Sequence, residues 1–181
     1  MVSARFASSK LVVAAVSVGF MIVVLDTAAL SVAIPDIKRA LGGSLANVQW
    51  VSNAYVLTFA GFMLSAGRVA DRWGAKRTLL AGVAAFTITS VMCAVSPNIS
   101  VLIAFRFLQG TAGAVLVTSA FSLITHVFPG SDERARALAM LNLCGSIGLT
   151  SGPLLAGVLG DTLSRLWVFL LHIVPGAFVG P

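Results

Sequence analysis

The sequence predicts an all-α membrane protein with five complete transmembrane helices and a truncated sixth. Of its 181 residues, 58% are hydrophobic and only 10% are charged, whereas about a quarter of the residues of a soluble domain are charged. A soluble protein of this size needs more polar groups to cover its surface, so a bilayer is the better solvent for this chain. The apolar residues also form runs of about twenty, the length that a crossing helix needs.

The apolar runs define a single incomplete transmembrane bundle over residues 11–181, preceded by a cytoplasmic N-terminus at 1–10. Pro35 is expected to end the first helix, because its ring cannot continue the hydrogen-bond ladder. Trp50 and Tyr55 are expected at headgroup level, where such rings are enriched. The sixth run has roughly sixteen residues, short of the ~20 that a crossing helix needs. The predicted spans are 11–34, 48–66, 78–95, 99–125, 137–159 and, in part, 166–181.

A signal peptide is the competing interpretation of the first run. The start is basic, and Ser31-Val32-Ala33 resembles a cleavage site with small residues. Against it, the apolar core would carry Asp26 near its end, and further spans follow.

Residues 67–77, GRVADRWGAKR, are predicted to form a tight cytoplasmic turn between the second and third spans. Gly67 permits close helix approach, and Gly74 can take a positive φ in a chain reversal. Asp71 can accept hydrogen bonds from neighbouring donors. A plain positive-inside signal would explain the cations, but not the acid and two glycines at this spacing. The four cations are Arg68, Arg72, Lys76 and Arg77.

The distribution of Lys and Arg predicts which side each turn occupies. With a cytoplasmic N-terminus, eight cations lie on that side and three on the other, a clear positive-inside bias. The eight are Arg5, Lys10, Arg68, Arg72, Lys76, Arg77, Arg134 and Arg136, and the three are Lys38, Arg39 and Arg165.

Several other function classes are disfavoured. The net charge of +6 comes from turns rather than from a basic face interleaved with aromatic residues, so nucleic-acid binding is not expected. Cys93 and Cys144 lie in different runs and are interpreted as small buried hydrophobes. No metal site or other cofactor is expected, since His126 and His172 have no partners at ligand spacing. No catalytic set of side chains indicates an enzyme.

Asp26 and Arg106 are the two charges inside the apolar runs, where such residues usually face a bundle interior or a water-filled path. At 1.5 Å per residue, Asp26 lies about 13 Å and Arg106 about 10 Å from the outer ends of their helices. We therefore expect them to lie near each other, with Asp26 as a proton-accepting site. A static structural pair is the alternative.

The fifth helix carries a face of small residues. Gly145, Gly148, Gly152, Ala156 and Gly160 fall within an arc of about 120° at 100° per residue, and Gly157 lies off it. Such a face lets another helix approach closely, and Pro153 removes one backbone donor. Ordinary close packing and a specialised functional face both remain open.

Four segments of the chain resemble motifs of the major facilitator superfamily, and more narrowly those of its fourteen-helix drug:proton antiporters. Residues 67–77 resemble the family's G-x-L-A-D-R-x-G-R-K turn, with Val69 and Ala75 as departures. Leu102-x-x-x-Arg106-x-x-Gln109-Gly110 resembles the fourth-helix signature. Gly148-x-x-x-Gly152-Pro153-x-x-Ala156-Gly157 resembles the antiporter signature. LDTAALSVAIP at 25–35 resembles the stretch typical of the fourteen-helix branch, with Ala28 and Ser31 as departures.

The resemblance implies the fold of an N-terminal half-bundle and proton-coupled efflux of small molecules, such as hydrophobic or cationic drugs, across a bacterial cytoplasmic membrane. The proton gradient would supply the energy. Arg106 would act in proton coupling and Asp26 in proton or cationic-substrate handling. The face from Gly148 to Gly157 would shape the antiport pathway. The turn, with Asp71, Arg72, Lys76 and Arg77, would contact the other half of the transporter.

Such transporters need two halves around a central site, and this chain would supply one incomplete half. We therefore expect a fragment that does not transport alone and needs a C-terminal half as partner. A non-transporting membrane remnant, acting only by association, is the alternative.

Overall fold

The computed structural model describes the backbone of residues 2–160 and the side-chain surroundings of residues 12–154 except positions 36 and 40. The predicted partial span at 166–181 lies outside the described residues. Five helices fill the described range: α1 Val2–Leu41, α2 Leu45–Trp73, α3 Ala75–Ala94, α4 Ile99–Val127 and α5 Ser131–Gly160.

Short connections with clear end signals separate the helices. Gly42 and Gly43 take positive φ of 68° and 104° between α1 and α2, and Gly74 takes 91° between α2 and α3. The Ser44 hydroxyl caps α2 by accepting from Asn47 N at 3.2 Å. Asn98 Oδ1 caps α4 by accepting from Val101 N at 2.9 Å. These caps satisfy backbone donors that have no partner within the helix.

Pro35 does not end the first helix, so that prediction is wrong. α1 continues through Pro35 to Leu41. Leu30 and Ala33 before the proline and Ile37 after it are all buried in one apolar cluster. Packing on both sides of Pro35 outweighs the single lost backbone bond, as happens in membrane helices whose neighbours compensate.

The predicted turn at 67–77 is mostly helical, which corrects its extent. α2 runs to Trp73 and α3 begins at Ala75, so the reversal is confined to Gly74. Ala66 and Ala70, one turn apart, are buried and hold the end of α2 in place. The positive φ expected of Gly74 is confirmed, and its N–H donates to Ala70 O at 3.0 Å.

α5 begins at Ser131, six residues before the predicted span at 137. Asp132 and Glu133 lie in its first turn, where acidic side chains interact favourably with the positive end of the helix dipole. The polar residues that precede the predicted span therefore form the first turns of the helix.

Four described helical segments are long and apolar enough to cross a membrane: Val12–Pro35, Ala75–Ala94, Ile99–Val127 and Ser131–Leu154. α2 is not among them, because Gln49 and Asn53 lower the hydropathy of its first half and Arg68 and Asp71 that of its end. Its 29 residues still extend about 44 Å at 1.5 Å per residue.

The helices pack as two groups around α1 and α4. α5 packs on α1, whereas α2 and α3 pack on α4, and the two groups meet mainly where α1 contacts α4. One apolar cluster includes Val16 and Val23 of α1 with Leu116 of α4, and another includes Leu30 with Leu102. Between these clusters, both helices carry the polar residues described next.

Candidate functional site

A buried ion pair joins α1 to α4 in the middle of the bundle. Arg106 Nη1 lies 2.7 Å from Asp26 Oδ2, and each side chain is only 1% exposed. The predicted proximity of the two residues is confirmed. Because an unpaired charge in the hydrocarbon region costs at least about 2.5–3.5 kcal/mol, each residue compensates the burial of the other.

Gln109 connects both members of the ion pair to α3. Its amide oxygen accepts from Arg106 Nη1 at 2.8 Å and from the Cys93 thiol at 3.4 Å. Its amide nitrogen donates to Asp26 Oδ1 at 3.4 Å and to Ser90 Oγ at 3.1 Å. Since a guanidinium can only donate, the atom facing Arg106 must be the amide oxygen, which fixes the orientation of the amide. We call Asp26, Ser90, Cys93, Arg106 and Gln109 the polar cluster.

α2 closes the cluster on the other side of Arg106. Arg106 Nε donates to the Val51 carbonyl at 3.3 Å, and the guanidinium carbon lies 4.5 Å from the centre of the Tyr55 ring. This is cation–π geometry. The expectation that Tyr55 lies at headgroup level is wrong, because its ring is buried inside the bundle against the Arg106 guanidinium. Trp50 is 47% exposed.

The sequence gives no indication of Ser90 or Cys93 as members of this site, and it leaves open whether Tyr55 lines a cavity or simply bonds to a neighbouring helix. Cys93 is buried, as its position in an apolar run predicts, but its thiol also donates a hydrogen bond to Gln109. One signal was available: Ser90 and Cys93 are three residues apart, so they share one face of an apolar helix.

Gly110 and Gly113 of α4 allow α2 to lie close to Arg106. A Cβ at Gly110 would overlap Thr58 Oγ1 and the Tyr55 backbone oxygen, and one at Gly113 would lie 2.9 Å from the Tyr55 hydroxyl oxygen. The glycine of the Gln109-Gly110 pair therefore has a physical role, because it makes room for the backbone that positions Tyr55 over the guanidinium.

The small-residue face of α5 packs on α1, which confirms the predicted close approach and identifies its partner. A Cβ at Gly148 would lie 2.6 Å from the Met21 backbone oxygen, and one at Gly152 would lie 2.7 Å from Ala28 Cβ. Gly152 thus contacts the turn of α1 that carries Asp26. Pro153 lies within α5 and is exposed. The surroundings of Ala156, Gly157 and Gly160 lie outside the described residues.

The charged residues of 67–77 are not part of this site. They lie where α2 meets α3 and are exposed, and within the described structure no hydrogen bond or ion pair joins them to other side chains. A Cβ at Gly67 would have no neighbour within 4 Å, so the close approach predicted there is not made by any described residue. These residues are Arg68, Asp71, Arg72, Lys76 and Arg77.

We expect Gln109→Leu to lower the free energy of unfolding by about 1–3 kcal/mol, because it leaves buried donors and acceptors of the polar cluster without partners. Denaturant unfolding in mixed micelles measures the change. Gln49→Leu is the matched control, since Gln49 is exposed on α2. Equal effects of the two substitutions would contradict a structural role for the Gln109 amide.

Among the described residues, no group of three or more His, Cys, Asp or Glu side chains has the arrangement of a metal site. The polar cluster contains one carboxylate, one guanidinium, one amide, one hydroxyl and one thiol.

A sequence model of the Major Facilitator Superfamily matches residues 16–181. The chain belongs to this superfamily. The match includes the polar cluster, the 67–77 segment and the glycine face of α5. Members of the superfamily are multi-pass membrane proteins, in agreement with the apolar helices of this chain.

Curated relatives in this superfamily include resistance and export proteins. The multidrug resistance protein Stp of Mycobacterium tuberculosis is 36% identical over 165 residues, covering 91% of this chain and 31% of Stp. The cephamycin export protein CmcT of Amycolatopsis lactamdurans is 39% identical, covering 86% and 32%. The methylenomycin A resistance protein of Bacillus subtilis is 35% identical, covering 89% and 34%. The chain therefore spans about a third of the length of these relatives.

A crystal structure of the peptide transporter POT in complex with sulfate has the same fold over the matched region. The TM-score is 0.80 at 16% identity, covering 92% of this chain and 36% of POT. The predicted fold class, an N-terminal helical bundle of this superfamily, is confirmed.

Proposed function

We propose that this chain forms the proton-coupling bundle of a superfamily transporter that exports small molecules from a bacterial cell. The buried Asp26–Arg106 pair carries the proposal, because such a charge pair within a membrane bundle typically marks a proton or substrate pathway. The names of the relatives, which include multidrug resistance and cephamycin export, support drugs or other small molecules as the substrate class.

The contacts of Arg106 support Asp26 as the proton acceptor. When a proton binds Asp26, the carboxyl group loses its charge and the electrostatic attraction across the α1–α4 contact weakens. Arg106 keeps its hydrogen bonds to Gln109 and Val51 and its contact with Tyr55, so it stays with α2 and α4. A cationic substrate would favour the ionised carboxylate and thus compete with the proton.

The helix packing supports a division of the bundle into two moving groups. α1 and α5 are closely packed through glycines, and α2, α3 and α4 form the other group. The Asp26–Arg106 pair connects these groups, so protonation would change the attraction between bodies that are each well packed. In such transporters the two bundles rock around a central site, and we propose that a smaller shift between these two groups accompanies that motion.

A second bundle is the partner that the 67–77 segment needs. Its exposed acid and cations suit contact with an opposing surface, and we propose that Asp71 and Arg72 make this contact on the cytoplasmic side, with the N-terminus of the chain also cytoplasmic. The chain matches only about a third of each relative, so we expect no transport without the second bundle.

Co-expression tests this function. Bacterial cells would produce the chain together with the C-terminal two thirds of a matched exporter such as CmcT, and efflux of the cationic dye ethidium would be measured with and without a proton gradient. We expect proton-dependent efflux from the unchanged chain and none from Asp26→Asn. Asp132→Asn, at an exposed carboxylate, is the control and should retain efflux.

Two results would count against the proposal. Undiminished proton-dependent efflux by Asp26→Asn would remove the proton role of Asp26. Absence of efflux from every version, with all chains present in the membrane, would favour the alternative of a bundle that does not transport. Asp71→Asn tests the 67–77 contact separately and should reduce efflux without altering the stability of the isolated chain.

A further inference from the structure

An apolar crevice of about 570 Å³ is lined mainly by residues of α1 and α5 towards one end of the bundle. This end also carries the α2–α3 junction, and we call it the charged end. The helices touch where Gly145, Gly148 and Gly152 face α1. Nearer the charged end, α5 carries Cys144 and Met140, which line the crevice. The volume lies within the range of about 300–1,000 Å³ typical of small-molecule sites.

One wall of the crevice carries an unpartnered hydroxyl. Ser17 lines it and is 2% exposed, yet its Oγ has no hydrogen-bond partner. Other hydroxyls in these helices, such as those of Thr27 and Thr118, donate to the carbonyl four residues earlier. Buried polar groups are nearly always hydrogen-bonded, and the described structure has two further buried hydroxyls without a partner, those of Tyr55 and Ser122. Of the three, Ser17 lines the crevice, so its hydroxyl is placed to donate to a ligand atom there.

The mouth of the crevice carries opposite charges. Glu133 and Arg136, three residues apart on α5, line it and are exposed, and neither forms an ion pair within the described structure. Gly145 faces Phe20 and Gly152 faces Ala28, so Ser17 lies about five residues, or ~8 Å, deeper than Arg136 along parallel helices. The site therefore offers a cation and an anion at its mouth, a hydroxyl below them and apolar walls throughout.

We propose that the crevice binds one zwitterionic phospholipid from the leaflet at the charged end. An acyl chain fills the apolar space beside Val18 and Met140, and a lipid ester carbonyl accepts from the Ser17 hydroxyl. The phosphate pairs with Arg136, and the ammonium group pairs with Glu133. An anionic lipid fits less well, because its headgroup has no cation to pair with Glu133 and is repelled by that carboxylate. This inference does not depend on export activity.

Cys144 can report on occupancy of the crevice, because it is a free cysteine that lines it, whereas Cys93 is buried in the polar cluster and is 3% exposed. The whole chain is reconstituted in vesicles of phosphatidylglycerol alone or of phosphatidylglycerol with phosphatidylethanolamine. The rate of Cys144 alkylation by a lipid-soluble maleimide is then measured. We expect phosphatidylethanolamine to slow alkylation about threefold, the effect of a lipid present at about twice its Kd.

Matched variants separate binding from general effects of the bilayer. Arg136→Gln and Ser17→Ala should abolish the protection by phosphatidylethanolamine. Arg134→Gln and Ser31→Ala should retain it, since neither residue lines the crevice. Equal alkylation rates in the two bilayers, or equal loss of protection in Arg134→Gln and Arg136→Gln, would overturn the proposal. Protection by added ethidium but not by phosphatidylethanolamine would also overturn it and assign the crevice to a small molecule.

Discussion

Arg106→Met is expected to lower the free energy of unfolding by about 3–5 kcal/mol, because it leaves the buried Asp26 carboxylate without its counter-charge. Arg106 makes contacts on three helices: Asp26 on α1, Val51 and Tyr55 on α2, and Gln109 on its own helix. Unfolding of the purified chain in mixed micelles with increasing denaturing detergent measures the change. Arg72→Gln, at an exposed cation, should change stability by no more than about 0.5 kcal/mol.

The double variant Asp26→Leu/Arg106→Met distinguishes a stabilising pair from a functional one. Replacing both members of a buried ion pair with apolar residues of similar volume is often neutral or stabilising. We therefore expect the double variant to recover most of the stability lost in Arg106→Met, and to remain inactive in the co-expression efflux assay. Recovery of stability together with efflux would contradict a coupling role, and failure to recover would mean that packing around the guanidinium dominates.

The depth of the ion pair could be predicted from the sequence because an apolar helix has a nearly fixed rise per residue. Asp26 and Arg106 each interrupt a long apolar run, and counting from the ends of those runs places them at similar depths. The cost of a charge in hydrocarbon then favours pairing. The polar partners around the pair could not be predicted in this way, because Ser, Cys and Tyr fit apolar helices with or without a special role.

Helix ends were less predictable than helix centres. Local rules place a boundary at Pro35 and a turn over 67–77, yet α1 continues to Leu41 and α2 to Trp73. In both places, buried residues continue on one face beyond the local signal: Ile37 in α1 and Ala70 in α2. Packing against neighbouring helices decides these ends, and the sequence of one helix does not reveal its neighbours.

The glycine face of α5 could be predicted from the sequence only in part. Its existence follows from helical periodicity, because Gly145, Gly148 and Gly152 recur on one side. Its partner does not, since any of the other helices could use such a surface. The structure assigns it to α1, at the turn that carries Asp26. The face therefore helps to position the Asp26 carboxylate, and neither the α1 motif nor the α5 motif reveals this connection by itself.

Gly148→Ala and Gly61→Ala are expected to change stability in opposite directions. A Cβ at position 148 would lie 2.6 Å from the Met21 backbone oxygen, whereas one at position 61 would meet nothing within 4 Å. Overpacking a close contact costs about 1–3 kcal/mol, so Gly148→Ala should destabilise the chain by about that amount. Gly61→Ala should stabilise it by about 0.5–1 kcal/mol, the usual gain in helix propensity. The same detergent titration measures both.

The direction of each change matters more than its size, because the two substitutions add the same methyl group to a helix. Gly152→Ala should follow Gly148→Ala, since its Cβ would lie 2.7 Å from Ala28 Cβ and 3.1 Å from Ala29 N. It should also reduce efflux in the co-expression assay more than Gly148→Ala does, because it displaces the turn of α1 that holds Asp26 against Arg106. If Gly148→Ala and Gly152→Ala both stabilised the chain as Gly61→Ala does, α1 and α5 would not be in contact in the membrane, and the pairing that connects this face to the ion pair would be wrong.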